Sequence, residues 1–308
     1  MYNEQQKQRF LATINPAQYP PGYWGRLFEQ YGIIEEELQK DLCNFTKPEI
    51  CKAHKFMSCT SYETLLVNNI NMKAYTTWAL QNSLVNDGIN HYDDMTPEDI
   101  FACVNQGLLQ SSIVSRDLVL NRIRSLDNPR SAFIVLGIFE GIRGTKFSDL
   151  VSLKLSDFDK SACTVTLPSG STRPVSSDLI YWAEMADQQN ILVTVNGREF
   201  QLYGTRIIKR LRSTNIKEDD TEEHRNVYRE ALRSFDMMGF TGKVSTNSLY
   251  TSGMIDMINQ IARRENVTAQ TVLYVKPLFA ELNTMYSMQA YMRSRFLMKY
   301  KEFLVGLE

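Results

Sequence analysis

Residues 139–159 read FEGIRGTKFSDLVSLKLSDFD. A glycine precedes Arg143, Asp149 follows six positions later, and a Leu/Val-rich run ends in Asp-Phe-Asp. Upstream, SAFIVLGIFEGI is apolar throughout and reads as a buried helix, with Asp127 or Asn128 as its cap and Pro129 at its first position. Downstream, Thr164–Leu167 and Thr172–Val175 flank Pro168-Ser169-Gly170-Ser171, the pattern of a β-hairpin. Val151 to Leu155 offer a third strand. The expectation is a small sheet set among helices.

The 125 residues at the front read as helices throughout, and a boundary is expected near Ser125–Pro129. Thr46-Lys47-Pro48-Glu49 and Thr96-Pro97-Glu98-Asp99 are two similar helix starts, each with a Thr cap, a proline and an acid in the first turn. Between them Leu66, Ile70, Ala74 and Trp78 recur every four residues and predict an apolar stripe. Thr64, Asn68, Asn71 and Lys73 then face outward, either solvated or against phosphates and base edges. Behind the hairpin, GTRIIKRLR reads as a surface helix with Ile207, Ile208 and Leu211 turned inward. Residues 213–224 are a polar, acidic loop. Helices return from Val227 to the end, with a break at Gly239-Phe240-Thr241-Gly242. The last segment, 293–308, places Phe296, Tyr300, Phe303, Leu304 and Leu307 on one face, which must pack on its own body or on a second molecule.

The chain has 308 residues, 43% hydrophobic and 22% charged, enough for two domains with sizeable cores. A net charge of −1 argues neither for nor against nucleic acid. Five cysteines without a CxxC pair read as reduced thiols, not as a disulfide frame or zinc site, so neither metal nor cofactor is expected. MYNEQQKQRF lacks the apolar core of a signal peptide, and no run suits a membrane span. The expected location is the cytoplasm.

An all-helical front, a helix–GxR–helix unit, a small sheet and a late tyrosine together resemble the tyrosine recombinases, or phage integrases. FEGIRGTKFSDLVSLKLSDFD is similar to the family pattern around its first catalytic arginine. The resemblance implies a mainly α fold with a small β-sheet: residues 1–125 as a helical core-binding domain and 126–308 as a catalytic-like domain, closing as a clamp on duplex DNA. In that family a tyrosine attacks a DNA phosphate, two arginines and a histidine or tryptophan stabilise the transition state, and a hairpin lysine protonates the leaving oxygen.

Arg143 and Asp149 stand at the first arginine and its acid. The rest departs from the family. LPSGSTRPVSS has no lysine, and Arg173 is a poor general acid because a guanidinium hardly releases a proton. Asn247 and Tyr250 occupy the histidine and arginine of His-x-x-Arg, Leu282 the third-motif histidine, and Tyr291 the nucleophile. No histidine lies between Val244 and Tyr291. The implied protein keeps the DNA grip without the chemistry: a prophage repressor that maintains lysogeny, with Tyr291 a packed aromatic. The alternatives are a recombinase with a rearranged site and a helical interaction protein that no longer touches DNA. The expected DNA contacts are Lys146, Arg206, Lys209, Arg210, Arg212 and Lys243, with Asn68, Asn71 and Lys73 in the front domain. Arg143 either touches phosphate or is structural. Self-association through 293–308 and a regulatory protein partner complete the expected partners.

Overall fold

Thr46 and Thr96 each begin a helix as their contexts dictate. Glu49 accepts from the Thr46 N–H at 2.7 Å, Asp99 accepts from the Thr96 N–H at 2.9 Å, and helices Lys47–Phe56 and Pro97–Phe101 follow. A computed structural model describes residues 1–193, 196–210, 221–240 and 243–306. They divide into two units, Met1–Gln110 and Ser111–Glu308.

In the first unit, helices Glu4–Leu11, Tyr23–Leu38, Lys47–Phe56 and Tyr62–Gln81 enclose an aromatic core of Phe10, Trp24, Phe28 and Tyr75 in edge-on contacts. Inside the same unit lies a buried charge cluster. Lys7 donates to both Glu35 oxygens, at 2.6 and 2.5 Å, and approaches Asp41 at 3.8 Å. Glu35 also accepts the Leu42 N–H, and Asp41 accepts the Tyr75 hydroxyl. One ammonium faces two carboxylates here, and burial raises the pKa of Glu35 to about 7.

The phase of Tyr62–Gln81 differs from the expected stripe. Its buried positions include Leu65, Asn68, Asn69, Asn71, Met72, Tyr75 and Ala79, while Ile70 is 54% exposed and Ala74 faces outward. The asparagines can turn inward because each finds a partner: Asn69 donates to the Tyr92 carbonyl, Asn68 to the Met57 sulfur and Asn71 to the Tyr23 hydroxyl. Once satisfied, a polar residue no longer marks the outside of a helix.

In the second unit, helix Pro129–Phe139 is buried along its length and packs on helices Ser177–Gln188, Thr221–Met237 and Thr246–Glu265. Helix Arg116–Ile123, placed by the sequence in the front domain, belongs with this core: Val119 and Ile123 are fully buried in it, and the Val114 N–H donates to Ser252. The expected hairpin forms as β2 (Thr164–Thr166) and β3 (Thr172–Pro174), with Val165 opposite Arg173. The third strand is β1 (Phe158–Asp159), antiparallel to β2, not Val151–Leu155. Val151 lies within helix Ser148–Ser152, and the Leu153 carbonyl accepts from the Ile207 N–H instead. A second hairpin that the sequence reading missed joins β4 (Ile191–Val193) and β5 (Glu199–Gln201).

Residues 221–224, expected in a loop, open helix Thr221–Met237, while 213–220, Thr241, Gly242 and Leu307 lie outside the described residues. The terminal segment folds back on its own unit. The Asn259 side chain holds the Phe303 carbonyl and the Val305 N–H, and Tyr300 and Leu304 are buried. Among the described residues the five cysteines are free, no group of side chains is spaced to hold a metal, and no helix is long and apolar enough to cross a membrane.

The buried groups predict a pH signature for the first unit. Glu35, raised to about 7 from 4.5, adds stability that is complete below pH 4.5 and lost as pH rises through about 7. His54, buried between Tyr31 and Asn69 and lowered to about 4, adds stability present above pH 6.5 and lost as pH falls through about 4. In urea titrations across pH 4–8, Glu35→Gln is expected to remove the alkaline decline and leave the acid one.

Candidate functional site

The site grows from the end of helix Pro129–Phe139. Glu140 is held by Arg116 at 2.9 Å and by the N–H and hydroxyl of Ser176. The chain then turns through Gly141 at φ +82° and Gly144 at φ +65°. A β-carbon at Gly141 would stand 2.4 Å from the Met285 carbonyl oxygen, and one at Gly144 would stand 2.7 Å from the Asp149 carboxylate. Glycine is needed at both for conformation and for space. Lys146 and Phe147 follow with φ of 54° and 68°, left-handed values that cost about 1–2 kcal/mol each outside glycine. This tight turn carries Arg143.

The Arg143 guanidinium lies over two rings, 5.5 Å from the centre of Phe147 and 5.6 Å from that of Tyr250. It is half-buried and makes no ion pair with Asp149 or any other described carboxylate. Arg173 differs. Because it stands opposite Val165, its side chain shares the inward face of the sheet. Its Nη1 donates to the carbonyls of Gly141 and Met285, at 3.0 Å each, and burial lowers its pKa despite the nearby Asp149 charge. One arginine is tied into the backbone and the other is not.

Tyr250, on helix Thr246–Glu265, is near both arginines. Its hydroxyl accepts the Ser287 N–H at 3.1 Å, and its ring meets Tyr286 edge-on at 5.1 Å. Burial raises its pKa against the opposing pull of Arg173 and Arg143. Asn247 is exposed in the first turn of the same helix, and Lys243 is exposed just before it. Leu282 is fully buried. Tyr291, expected to pack, is 75% exposed on the turn Ala290–Met292, because neighbouring Met285 and Met288 take the interior positions. No hydrogen bond or ring contact joins it to Arg143, Arg173 or Tyr250 among the described residues.

The other expected contacts separate by exposure. Lys146 is exposed. Residues 206–210 are not helical: an antiparallel bridge between Tyr203 and Arg210 closes a loop that buries Ile207 and Ile208. Arg206 and Arg210 remain half-buried, but Lys209 is 8% exposed, its ammonium given to the Asp187 and Gln189 carbonyls and the Asn190 side chain. Arg212 lies outside the described residues. In the first unit Asn68 and Asn71 are turned inward, while Lys73 is exposed and paired with Asp93.

Residues 113–300 match the family described as "MrpR, C-terminal catalytic domain", and residues 1–81 match "MrpR, N-terminal core-binding domain". The chain belongs to the MrpR family. Arg143, Asp149, Asn247, Tyr250 and Tyr291 fall within the MrpR catalytic-domain match, and Asn68, Asn71 and Lys73 within the core-binding match. The chain is also similar to a crystal structure of XerA recombinase, at 11% identity and a TM-score of 0.37, over 97% of this chain and 96% of that one. No curated protein matches it.

Sequence reasoning missed Glu140 and the full role of Arg173. The acid just before the Gly-Ile-Arg-Gly turn was the available signal for the first; for the second, only the strand register reveals the inward side. Substituting Gly253 tests the scaffold beneath the site, since a β-carbon there would stand 1.7 Å from the Phe139 carbonyl oxygen. Gly253→Ala is expected to destabilise the second unit by about 3 kcal/mol in urea titration, as overpacking does.

Proposed function

We propose that this chain is a sequence-specific double-stranded DNA-binding repressor built on a recombinase scaffold that no longer cleaves strands. The state of Arg143 carries the reading. It is a half-buried guanidinium positioned by two rings and by the tight turn around it, with no described carboxylate neutralising it. Such a group suits a phosphate oxygen. Lys146 and Lys243 are exposed on the flanking segments, and Arg206, Arg210 and, in the other unit, Lys73 extend the set of candidate cations. Phosphate neutralisation by these groups supplies affinity.

The loss of cleavage rests on what surrounds Arg143. Tyr250, a phenol, replaces the second arginine and is already hydrogen-bonded by the Ser287 N–H. Arg173 on the hairpin is committed to two backbone carbonyls and makes a poor proton donor. Tyr291 has no described base or cation in contact. Loss of one transition-state charge stabiliser costs roughly 10²–10³ in rate, and loss of the general acid roughly 10²–10⁴ more. A grip that cannot cut suits a regulator, and the chain resembles the integrase-like master repressor of SPβ-type Bacillus prophages in size and in its altered motifs. On this reading it holds prophage operators, and a protein partner or other signal releases it.

Fragments selected from genomic DNA by the intact protein, followed by mobility-shift titration against salt, test the binding. Arg143→Ala is expected to weaken all sequences alike and to reduce the salt slope by about 1. Tyr291→Phe is expected to change nothing. A covalent adduct through Tyr291 on a nicked suicide duplex would sink the non-cleaving reading, and a flat salt response would sink the DNA reading. Lys209→Ala is expected to lower the stability of the second unit without changing the salt slope, since its ammonium is spent on carbonyls.

A further inference from the structure

At the other end of helix Pro129–Phe139, away from Arg143, lies a cavity of about 530 Å³. It is bounded by the start of that helix, by the β4–β5 hairpin and by helix Thr221–Met237. Eleven helical residues separate this end from the Arg143 turn, about 16 Å, so one phosphate group cannot occupy both. The volume lies within the range of small-molecule sites.

Arg225, Arg229 and Arg233 recur every four residues on helix Thr221–Met237 and form one stripe. Like charges at this spacing repel by a few tenths of a kcal/mol per pair. No described carboxylate answers them: all three are exposed and without a hydrogen-bond or ion-pair partner among the described residues. The carboxylate nearest in sequence, Glu230, is already spent on Arg130 at 3.0 Å and on the Ser131 hydroxyl at 2.8 Å. Arg229 and Arg233 line the cavity with Arg198, and the lining acid not paired with Arg130 is Asp127. Arg229 and Arg233, one helical turn apart and each without a described partner, present two positive charges to an anion, against the −1.5 to −2 of a phosphomonoester at neutral pH.

Apolar side chains line the same cavity. Phe200, Val193 and Met237 line the cavity, and each is exposed to a degree that large apolar side chains seldom show without a partner. Phe200 provides a ring face. A ligand that satisfies both the arginines and the apolar side chains has a doubly charged end and a flat or apolar body.

We infer that this cavity binds a small phosphomonoester carrying an aromatic or apolar body, with Arg229 and Arg233 holding the phosphate and Phe200 and Met237 covering the body. Phenyl phosphate titrated into the intact protein is the direct probe, followed by calorimetry and by the arginine side-chain N–H signals in NMR. Saturable binding is expected, weakened about tenfold or more in Arg229→Ala/Arg233→Ala, partly restored in Arg229→Lys/Arg233→Lys, and unchanged in Arg143→Ala. Inorganic phosphate is expected to bind more weakly, since it leaves the apolar side chains uncovered. Thermal melting of each variant confirms that it is folded; both arginines are exposed and their removal disturbs no core contact. No saturation by about 10 mM phenyl phosphate, equal affinity in the folded double-alanine variant, or equal affinity for inorganic phosphate would each overturn the assignment.

Discussion

The carbonyl oxygen of Phe139 occupies the place where a β-carbon of residue 253 would be. Helices Pro129–Phe139 and Thr246–Glu265 therefore meet backbone to backbone, and the Tyr286 hydroxyl donates to that same oxygen. Much of the second unit's geometry follows from this contact. It fixes where the first helix ends, and so where the Gly141 turn begins. It brings Met285 against that turn, closely enough that only glycine fits. It also sets Tyr250, one turn before Gly253 on the same helix, beneath the guanidinium of Arg143.

Two arginines are then divided by their surroundings. Arg173 enters from the sheet and binds the carbonyls of Gly141 and Met285, joining the hairpin to the turn and to the end of helix Lys276–Met285. A buried guanidinium must give its protons to acceptors, and once it does so it acts as a cross-link. Arg143 rests on rings that satisfy no N–H donor fully. Its hydrogen-bonding capacity stays available, which is the physical basis for proposing it, and not Arg173, as the anion contact. The same distinction separates Lys209, consumed by carbonyls, from Lys146 and Lys243, which project into solvent.

Local signals were legible where the cause was local. The capping boxes at Thr46 and Thr96, the hairpin around Pro168–Ser171 and the burial of SAFIVLGIF depend on neighbours within a few residues. The misplacements had long-range causes. Helix Tyr62–Gln81 turned its asparagines inward because Tyr23, Met57 and Tyr92 offered partners. Residues 206–210 became a loop because Leu153 and Tyr203 took their backbone hydrogen bonds. The short strand Phe158–Asp159 replaced Val151–Leu155 because helix Ser148–Ser152 had already claimed the apolar residues before it.

By itself the sequence determined which residue types are on hand: LPSGSTRPVSS holds no lysine and no histidine lies between Val244 and Tyr291, and folding cannot change residue identity. It also determined the mainly helical fold with a small sheet, because apolar spacing and turn residues act over short distances. Only the tertiary structure decided which cations remain available and that Tyr291 stands in solvent. That outcome depends on which carbonyls, rings and carboxylates are carried to each side chain from distant parts of the chain, and no local pattern records it.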